Sequence, residues 1–391
     1  MRKNSWIALA AVTVLVVIGA VYAVMQRNAN TDRGDAIAGY LFPGLLAKVN
    51  DVALIAVHDA KHSFTVVRQK DDSWTVPEKS GYPVKPDAVK QTVVGMAVLK
   101  ALEPRTARPE LYGKIGVDEP GKPGSESIQI ELKDAAGKAL AGLIVGKNKS
   151  YEGDTRPANI YVRKLGDAQS WLAEGRFSVK ADPIGWFDQE VFKLPRERMM
   201  AVEIDQPDGQ KLVVSRASHN DKDFALKDLP AGATPKQSEI DGVATGLESL
   251  TFDDVAKADS LDFAKATTAT FRTFDGLVVT ARTIDKEGKH WTTFAAAFDP
   301  EQAAKARVAA AAETSAGKDA KPDAKTAEAK TAKAETAEAK TAEAKPGVEA
   351  EAKGLQASLA GWAYQISDFR SVNFTRKPAD LVQSQKDKKP S

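Results

Sequence analysis

The sequence predicts an α+β protein: two tandem repeats of a mostly antiparallel β-meander plus helix module, preceded by one transmembrane helix. Three observations carry that prediction. Short β-rich runs alternate with turn residues through both halves. The order of strands, turns and helix in the first half returns about 150 residues later. An uncharged apolar run, long enough for a bilayer, opens the chain.

That opening run is Trp6–Met25, with Arg2 and Lys3 before it and Gln26 and Arg27 after it. About 20 apolar residues match the hydrocarbon thickness of a membrane. A cleaved signal peptide ending near Val21-Tyr22-Ala23 is the other reading, but Val24 and Met25 carry the apolar run past that site. The short basic start favours a cytoplasmic N-terminus with the bulk outside. The expected organisation is an anchor over 1–27, a polar spacer over 28–39 and a first module over 40–195. The second module spans 196–300 and 355–382, interrupted by a low-complexity insertion over 301–354, with a polar tail over 383–391.

In the first module, Val52 to Val57, Phe64 to Arg68 and Trp74 to Val76 read as three strands joined by tight turns. Pro86-Asp87 starts a helix whose apolar positions Val89, Val93, Met96, Leu99 and Leu102 recur at helical spacing, with Pro104 beyond its end. After a Gly/Pro-rich loop over 112–124, strands are expected at 127–132, 140–145, 159–163 and 169–172. The second module answers in the same order. Met199, Val202 and Ile204 open it, and Asp208-Gly209 marks a hairpin. Strands follow at 211–216 and 224–226, then a helix over Ser238, Val243, Leu247 and Leu250, then strands at 268–274, 277–283 and 291–296. The Thr-Ala-Glu-Ala-Lys-like repeats of 326–345 supply no core and read as a semi-rigid spacer at a hairpin tip. Gly361 to Ile366 resumes as the strand that answers 169–172.

Lys+Arg at 55 against Asp+Glu at 53 leaves no basic face for nucleic acid. The absence of cysteine excludes disulfides, thiol catalysis and an N-terminal lipidated cysteine. His58 and His62 are four apart but flank a turn, with no third ligand nearby. The stretch from Gly142 to Lys147 superficially resembles a phosphate loop. Its glycines are one residue too close, Asn148 stands where Ser or Thr belongs, and it lies at a strand end. Asp253-Asp254 lacks a partner base. No catalytic, cofactor-binding or metal residue is therefore assigned, no cofactor is expected, and the protein is read as not an enzyme. Trp74, Trp171, Trp291 and Trp362 fall on strands, as core or as a binding surface; Trp186 falls in the connection between modules.

Leu41 to Leu45, Val52 to Val57 with Trp74, and the Tyr112-Gly113 to Pro120 loop resemble the bacterial domain of unknown function (DUF) 4340 family. So do Ile144 to Gly146, Ile160 to Arg163 and Gly361 to Ile366. The resemblance covers roughly residues 40–382 apart from the insertion. It implies one N-terminal membrane helix and a place beside ABC-type permeases and gliding-motility-type auxiliary proteins. It brings no catalytic residues. The leading expectation is then a non-enzymatic accessory protein of an ABC-type transport system, acting by protein contacts. It would be single-pass in the inner membrane, N-terminus cytoplasmic and bulk periplasmic. Its partners would be a permease or auxiliary subunit and, through Trp6–Met25, the lipid bilayer. The alternative is a cell-envelope module that binds a polysaccharide or peptide through sheet aromatics. A third reading, an envelope hydrolase, needs a carboxylate pair and a histidine in one cleft.

Overall fold

Alternation of apolar and polar residues decides the strands. In β1 (Val52–His58), Val52, Ile55 and Val57 are buried while Ala56 and His58 are not. A computed structural model describes residues 39–149, 159–175, 177–229, 231, 233–306 and 347–383. The chain divides into two compact units, Met1–Asp188 and Gln189–Ser391.

In the first unit, β1 is followed by β2 (Ser63–Arg68), β3 (Trp74–Val76), β4 (Tyr82–Pro83) and α1 (Pro86–Ala97). Next come β5 (Lys100–Pro104), the one-turn helix α2 (Tyr112–Ile115), β6 (Ile128–Asp134), β7 (Ala139–Lys149), β8 (Asn159–Lys164) and β9 (Ser170–Glu174). They form one nine-stranded sheet in the order β4-β3-β2-β1-β6-β7-β8-β9-β5. Helix α1 starts at Pro86, where a missing N–H costs nothing, and buries Val89, Val93 and Met96. Each such side chain contributes about 1.5–3 kcal/mol.

The second unit repeats the plan. It comprises β10 (Glu190–Phe192), β11 (Met199–Asp205), β12 (Lys211–Ser215), β13 (Ala225–Leu226), α3 (Gln237–Ala244), β14 (Leu250–Thr251) and β15 (Asp254–Lys257). After these come β16 (Thr267–Thr273), β17 (Leu277–Lys286), β18 (Lys289–Phe298), α4 (Val348–Leu359), β19 (Trp362–Ile366) and α5 (Asp368–Thr375). Its eight-stranded sheet runs β13-β12-β11-β16-β17-β18-β19-β15, the same order without a counterpart of β4; β10 and β14 pair separately. Smaller details recur too. The guanidinium of Arg68, at the end of β2, donates to the Asn50 carbonyl just ahead of β1. Arg216, one residue past β12, donates to the carbonyls of Arg196 and Glu197 just ahead of β11. In both units a Pro-led 3-10 turn returns to the start of the helix. Lys85 N–H donates to Trp186 O at 2.9 Å, and Lys236 N–H to Leu381 O at 2.8 Å.

Strands β18 and β19 pair through Thr292↔Tyr364 and Thr293↔Ala363, although residues 307–346 separate them in sequence and lie outside the described residues. Helix α4 begins at Val348, within residues 301–354, and packs along the part of β18 that β19 leaves unpaired. The Ala296 N–H there donates to the side chain of Gln356 at 2.8 Å. Arg198 locks the helix from the other side, with both Glu351 carboxylate oxygens at 2.8 Å and Asp275 at 2.8 Å. Hydrogen bonding to Glu351 holds the guanidinium pKa above its usual range, and Asp275 adds to that rise against the effect of burial.

Several expectations are corrected. The predicted transmembrane helix is not part of the observed α+β architecture. No helix among the described residues is long and apolar enough to cross a membrane, and Trp6–Met25 lies outside the described residues. The helix expected to run through Leu102 stops at Ala97; Leu99 instead offers its carbonyl to Leu41 N–H, and residues 100–104 become the edge strand β5. Pro104 is tolerated because an edge strand has one free side. The helix expected to reach Leu250 stops at Ala244, where the chain turns through Gly246 into β14. Asp254 opens strand β15.

Candidate functional site

The two repeats differ in how they connect the β5-like edge strand to the β6-like strand. In the first unit this connection, residues 105–127, lies against the sheet. Tyr112 and Val117 from it are buried with Ile144 of β7, and Tyr161 and Leu165 pack around them. Arg163 of β8 fastens the loop. Its Nε donates to Val117 O at 3.1 Å, one terminal nitrogen to Asp167 O at 3.0 Å and the other to Glu119 at 2.6 Å. Its guanidinium also lies 4.6 Å from the Tyr112 ring centroid. In the second unit the connection from β15 to β16 is only residues 258–266, too short for such a cover.

A pocket of 540 Å³ opens beside that short connection, at the end of the sheet. Thr267, Thr283, Asp285 and His290 line it from three adjacent strands, with Asp262 and Lys265 from the connection. Register explains the set. Thr267 pairs with Thr283, and Asp285 with His290, so period-2 alternation places all four on the core-facing side. Thr283 and Thr292 hydroxyls meet at 2.9 Å, and the Thr267 hydroxyl donates to Gln206 at 3.1 Å. Gln206 in turn donates to the carbonyls of Thr375 and Arg376, fixing the end of α5 against the pocket. His290 stands between two carboxylates, with Asp285 3.7 Å from Nδ1 and Asp368 3.6 Å from Nε2.

Two aromatic residues neighbour this polar set in sequence without lining the pocket, and Trp291 lies on the opposite face of β18 from His290. Trp291 follows His290 in sequence and pairs across the sheet with Ile284, a lining residue. Phe369 follows Asp368 and is 81% exposed, with Val372 one turn along α5 also exposed. The pocket thus offers hydroxyls, carboxylates and an imidazole beside apolar contacts, a mixture suited to recognising an extended polar chain.

The chemistry of a hydrolase demands more. The Asp285 and Asp368 side chains are 61% and 84% exposed and stand beyond hydrogen-bond distance of His290, so nothing fixes a general base or its partner. Among the described residues no group of three or more His, Cys, Asp or Glu side chains could hold a metal.

The residues weighed in the sequence fall elsewhere. His58 lies on β1, and His62 in the following turn is held by Asp59, whose carboxylate accepts its N–H at 2.5 Å. Gly146 lies on β7, where the loop backbone comes so close that a Cβ would stand 2.5 Å from Ile115 O. Close packing, rather than a phosphate, explains that glycine. Asp253 and Asp254 are neighbours on an extended chain, so their side chains diverge. Trp171 and Trp186 are buried; Trp74, Trp291 and Trp362 are half-buried. Trp362 carries the Lys257 ammonium 3.5 Å above its ring, a clasp between β19 and β15 away from the pocket. The pocket residues left no local signature: its threonines read as ordinary strand formers, and only the β17–β18 hairpin and α5 bring its charges together.

A family model described as Domain of unknown function (DUF4340) matches residues 74–270, from β3 into β16. The chain belongs to the DUF4340 family. No curated protein and no solved structure matches it. The DUF4340 match spans the strand-rich centre of both repeats, including Asp262, Lys265 and Thr267 of the pocket. It stops short of the β17–β18 hairpin that completes the pocket.

The expectation of a membrane-held accessory protein of an ABC-type transport system is corrected with the architecture. It rested on a spanning helix, and the described residues contain none long and apolar enough. The same finding corrects the single-pass inner-membrane location, the lipid-bilayer contact and the permease or auxiliary subunit in that membrane as a partner.

Proposed function

We propose that this DUF4340 protein is a non-catalytic binding module that holds a segment of polysaccharide or peptide at the end of its second sheet. The supporting observation is the 540 Å³ pocket, which the short connection leaves open and which gathers Asp262, Lys265, Thr283 and His290, with the exposed Phe369 next in sequence to Asp368, the carboxylate 3.6 Å from His290. Mixed donors and acceptors fix the orientation of a polar chain, and Ala264 and Ile284 supply apolar contact beside them. Binding of oligosaccharide and peptide panels to the full chain by calorimetry tests this reading and separates the two ligand classes. Phe369→Ala and His290→Ala should each weaken binding at least about tenfold, roughly 1.4 kcal/mol. Phe369 is so exposed that its removal should leave the melting temperature unchanged. Turnover of any panel member by the wild-type chain would overturn the non-catalytic reading.

A further inference from the structure

Strand register lays the two copies on each other, and at one layer apolar side chains give way to polar ones. Both sheets start from the same bulge, between Val52 and Leu54 in the first unit and between Met199 and Ala201 in the second. Counted from it, the pair Ile55↔Leu132 answers Val202↔Phe271, and Val57↔Ile130 answers Ile204↔Ala269. Further along the same face, Ile128↔Val145 answers Thr267↔Thr283, and Val145↔Val162 answers Thr283↔Thr292. Ile160, two residues before Val162, then answers His290, two residues before Thr292. Val145, Val162 and Ile160 are buried, so the fold packs this layer with aliphatic side chains where nothing else is asked of it. Thr283 and Thr292 are buried as well, and their hydroxyls satisfy each other at 2.9 Å. His290 is the member of the polar layer that brings a titratable ring to the pocket wall.

Three elements supply the charges around that ring. Asp285 on β17 stands 3.7 Å from Nδ1 through one carboxylate oxygen, while its other oxygen accepts the Gly288 N–H of the turn at 3.3 Å. Asp368, the first residue of α5, stands 3.6 Å from Nε2. The connection contributes Asp262 and Lys265 to the same pocket, and Lys289 precedes His290 on β18. Strand β19 sets Ile366 across from it. A neutral imidazole has one N–H and one acceptor nitrogen, so it donates to one carboxylate at most and keeps an acceptor for a ligand; the protonated ring has two donors and no acceptor. We propose that protonation of His290 switches the pocket off. With a proton taken from solvent, the ring donates charge-assisted bonds to Asp285 and Asp368 after a closing of each gap by about 1 Å. That bridge ties the β17–β18 hairpin to α5 and withdraws the imidazole acceptor and the Asp285 carboxylate from the ligand. Histidine changes charge between about pH 5 and pH 8, so a segment held at the upper end of that range is released at the lower end. The inference rests on the reading of this pocket as a binding site for a polar chain.

Two measurements on the full chain separate the switch from the ligand. The first needs no ligand. Urea midpoints of the wild type, His290→Gln, Asp368→Asn and the double variant form a double-mutant cycle, run at about pH 5.5 and about pH 8. The protonated ring makes the ion pair, so the coupling should be present at the lower pH, about threefold in the folded-to-unfolded ratio, and should vanish as pH rises. Equal coupling at both pH values, or none at either, would overturn the switch. The second measurement is calorimetry with the oligosaccharide and peptide panels at the same two pH values. A panel member bound at the higher pH should bind the wild type at least tenfold more weakly at the lower one. In His290→Gln, which cannot take up the proton, the remaining affinity should be the same at both. Wild-type binding that ignores pH would overturn the proposal, and so would a pH dependence that persists in His290→Gln. If no panel member binds at either pH, the binding-site reading fails, and the ligand-free cycle alone decides whether His290 bridges its two carboxylates.

Discussion

Arg163 shows how one side chain decides whether a repeat is closed or open. It is 5% exposed, yet it satisfies two backbone carbonyls and a carboxylate and lies on the Tyr112 ring. Arg163→Met keeps the apolar stem but strands the carbonyl of Val117, so stability should fall by about 2–4 kcal/mol. Urea denaturation of the full chain measures this, and a loss below about 1 kcal/mol would mean that the loop holds without the arginine. Gly146→Ala acts on the same loop from beneath. Its Cβ would collide with backbone oxygens of Ile115 and Gly116, which no rotamer change relieves. A destabilisation of about 1–3 kcal/mol is expected, and the same urea curve reads it. Neither role was legible in the sequence. An arginine at the end of a β-rich run reads as a solvent-facing residue until the fold wraps a loop over it, and a glycine near a lysine invites a phosphate reading.

At the scale of elements, alternation and turn chemistry carried most of the fold. The strands from β1 to β3, from β6 to β9 and from β16 to β19 lie where period-2 patterning places them, because one face of each is buried. The failures share one cause. Leu99 and Leu102 continue the helical spacing of α1, but pairing of residues 100–104 with β9 outcompetes a further helical turn. Only the distant partner strand decides that contest, and local spacing does not reveal it. The pocket was illegible for the same reason. Its charges come from a loop, a hairpin and a helix whose sequence neighbours are unremarkable. The β1–β2 turn, by contrast, is local, and it makes a pH prediction. Asp59 is pushed up by burial, but the amides of His62 and Lys61 outweigh that and hold its carboxyl below the usual range. A carboxyl so lowered stabilises the fold above its unfolded pKa, near 4, and that contribution is lost as pH falls through the lower folded value. Asp59→Asn should therefore flatten the fall in stability below about pH 4. Identical acid limbs for variant and wild type would assign that fall to other groups.

The whole molecule is a duplication whose copies have diverged by what they cover. The first copy covers its sheet face with residues 105–127; the second leaves its pocket open and packs α5 beside α3. The second copy also tolerates a long tract between two paired strands. Ala306 and Gly347, which bracket residues 307–346, line one cavity of 610 Å³, so the fold already holds the ends of the tract near each other. The ion pairs of Arg198 with Glu351 and Asp275, and the Gln356 contact to β18, hold α4 in place. Replacing residues 307–346 by a Gly/Ser linker about one fifth as long should not destabilise the unit. Closing a shorter loop costs less entropy, by roughly 0.6 kcal/mol per halving, so stability should rise by about 1.4 kcal/mol. Arg198→Ala in the same shortened chain should erase that gain and more, because Glu351 and Asp275 then face each other without their shared cation. Urea midpoints of the two chains measure both effects. A fall in stability on shortening alone would show that the tract contributes contacts of its own, and that the second copy is held together by more than the strands and helices it shares with the first.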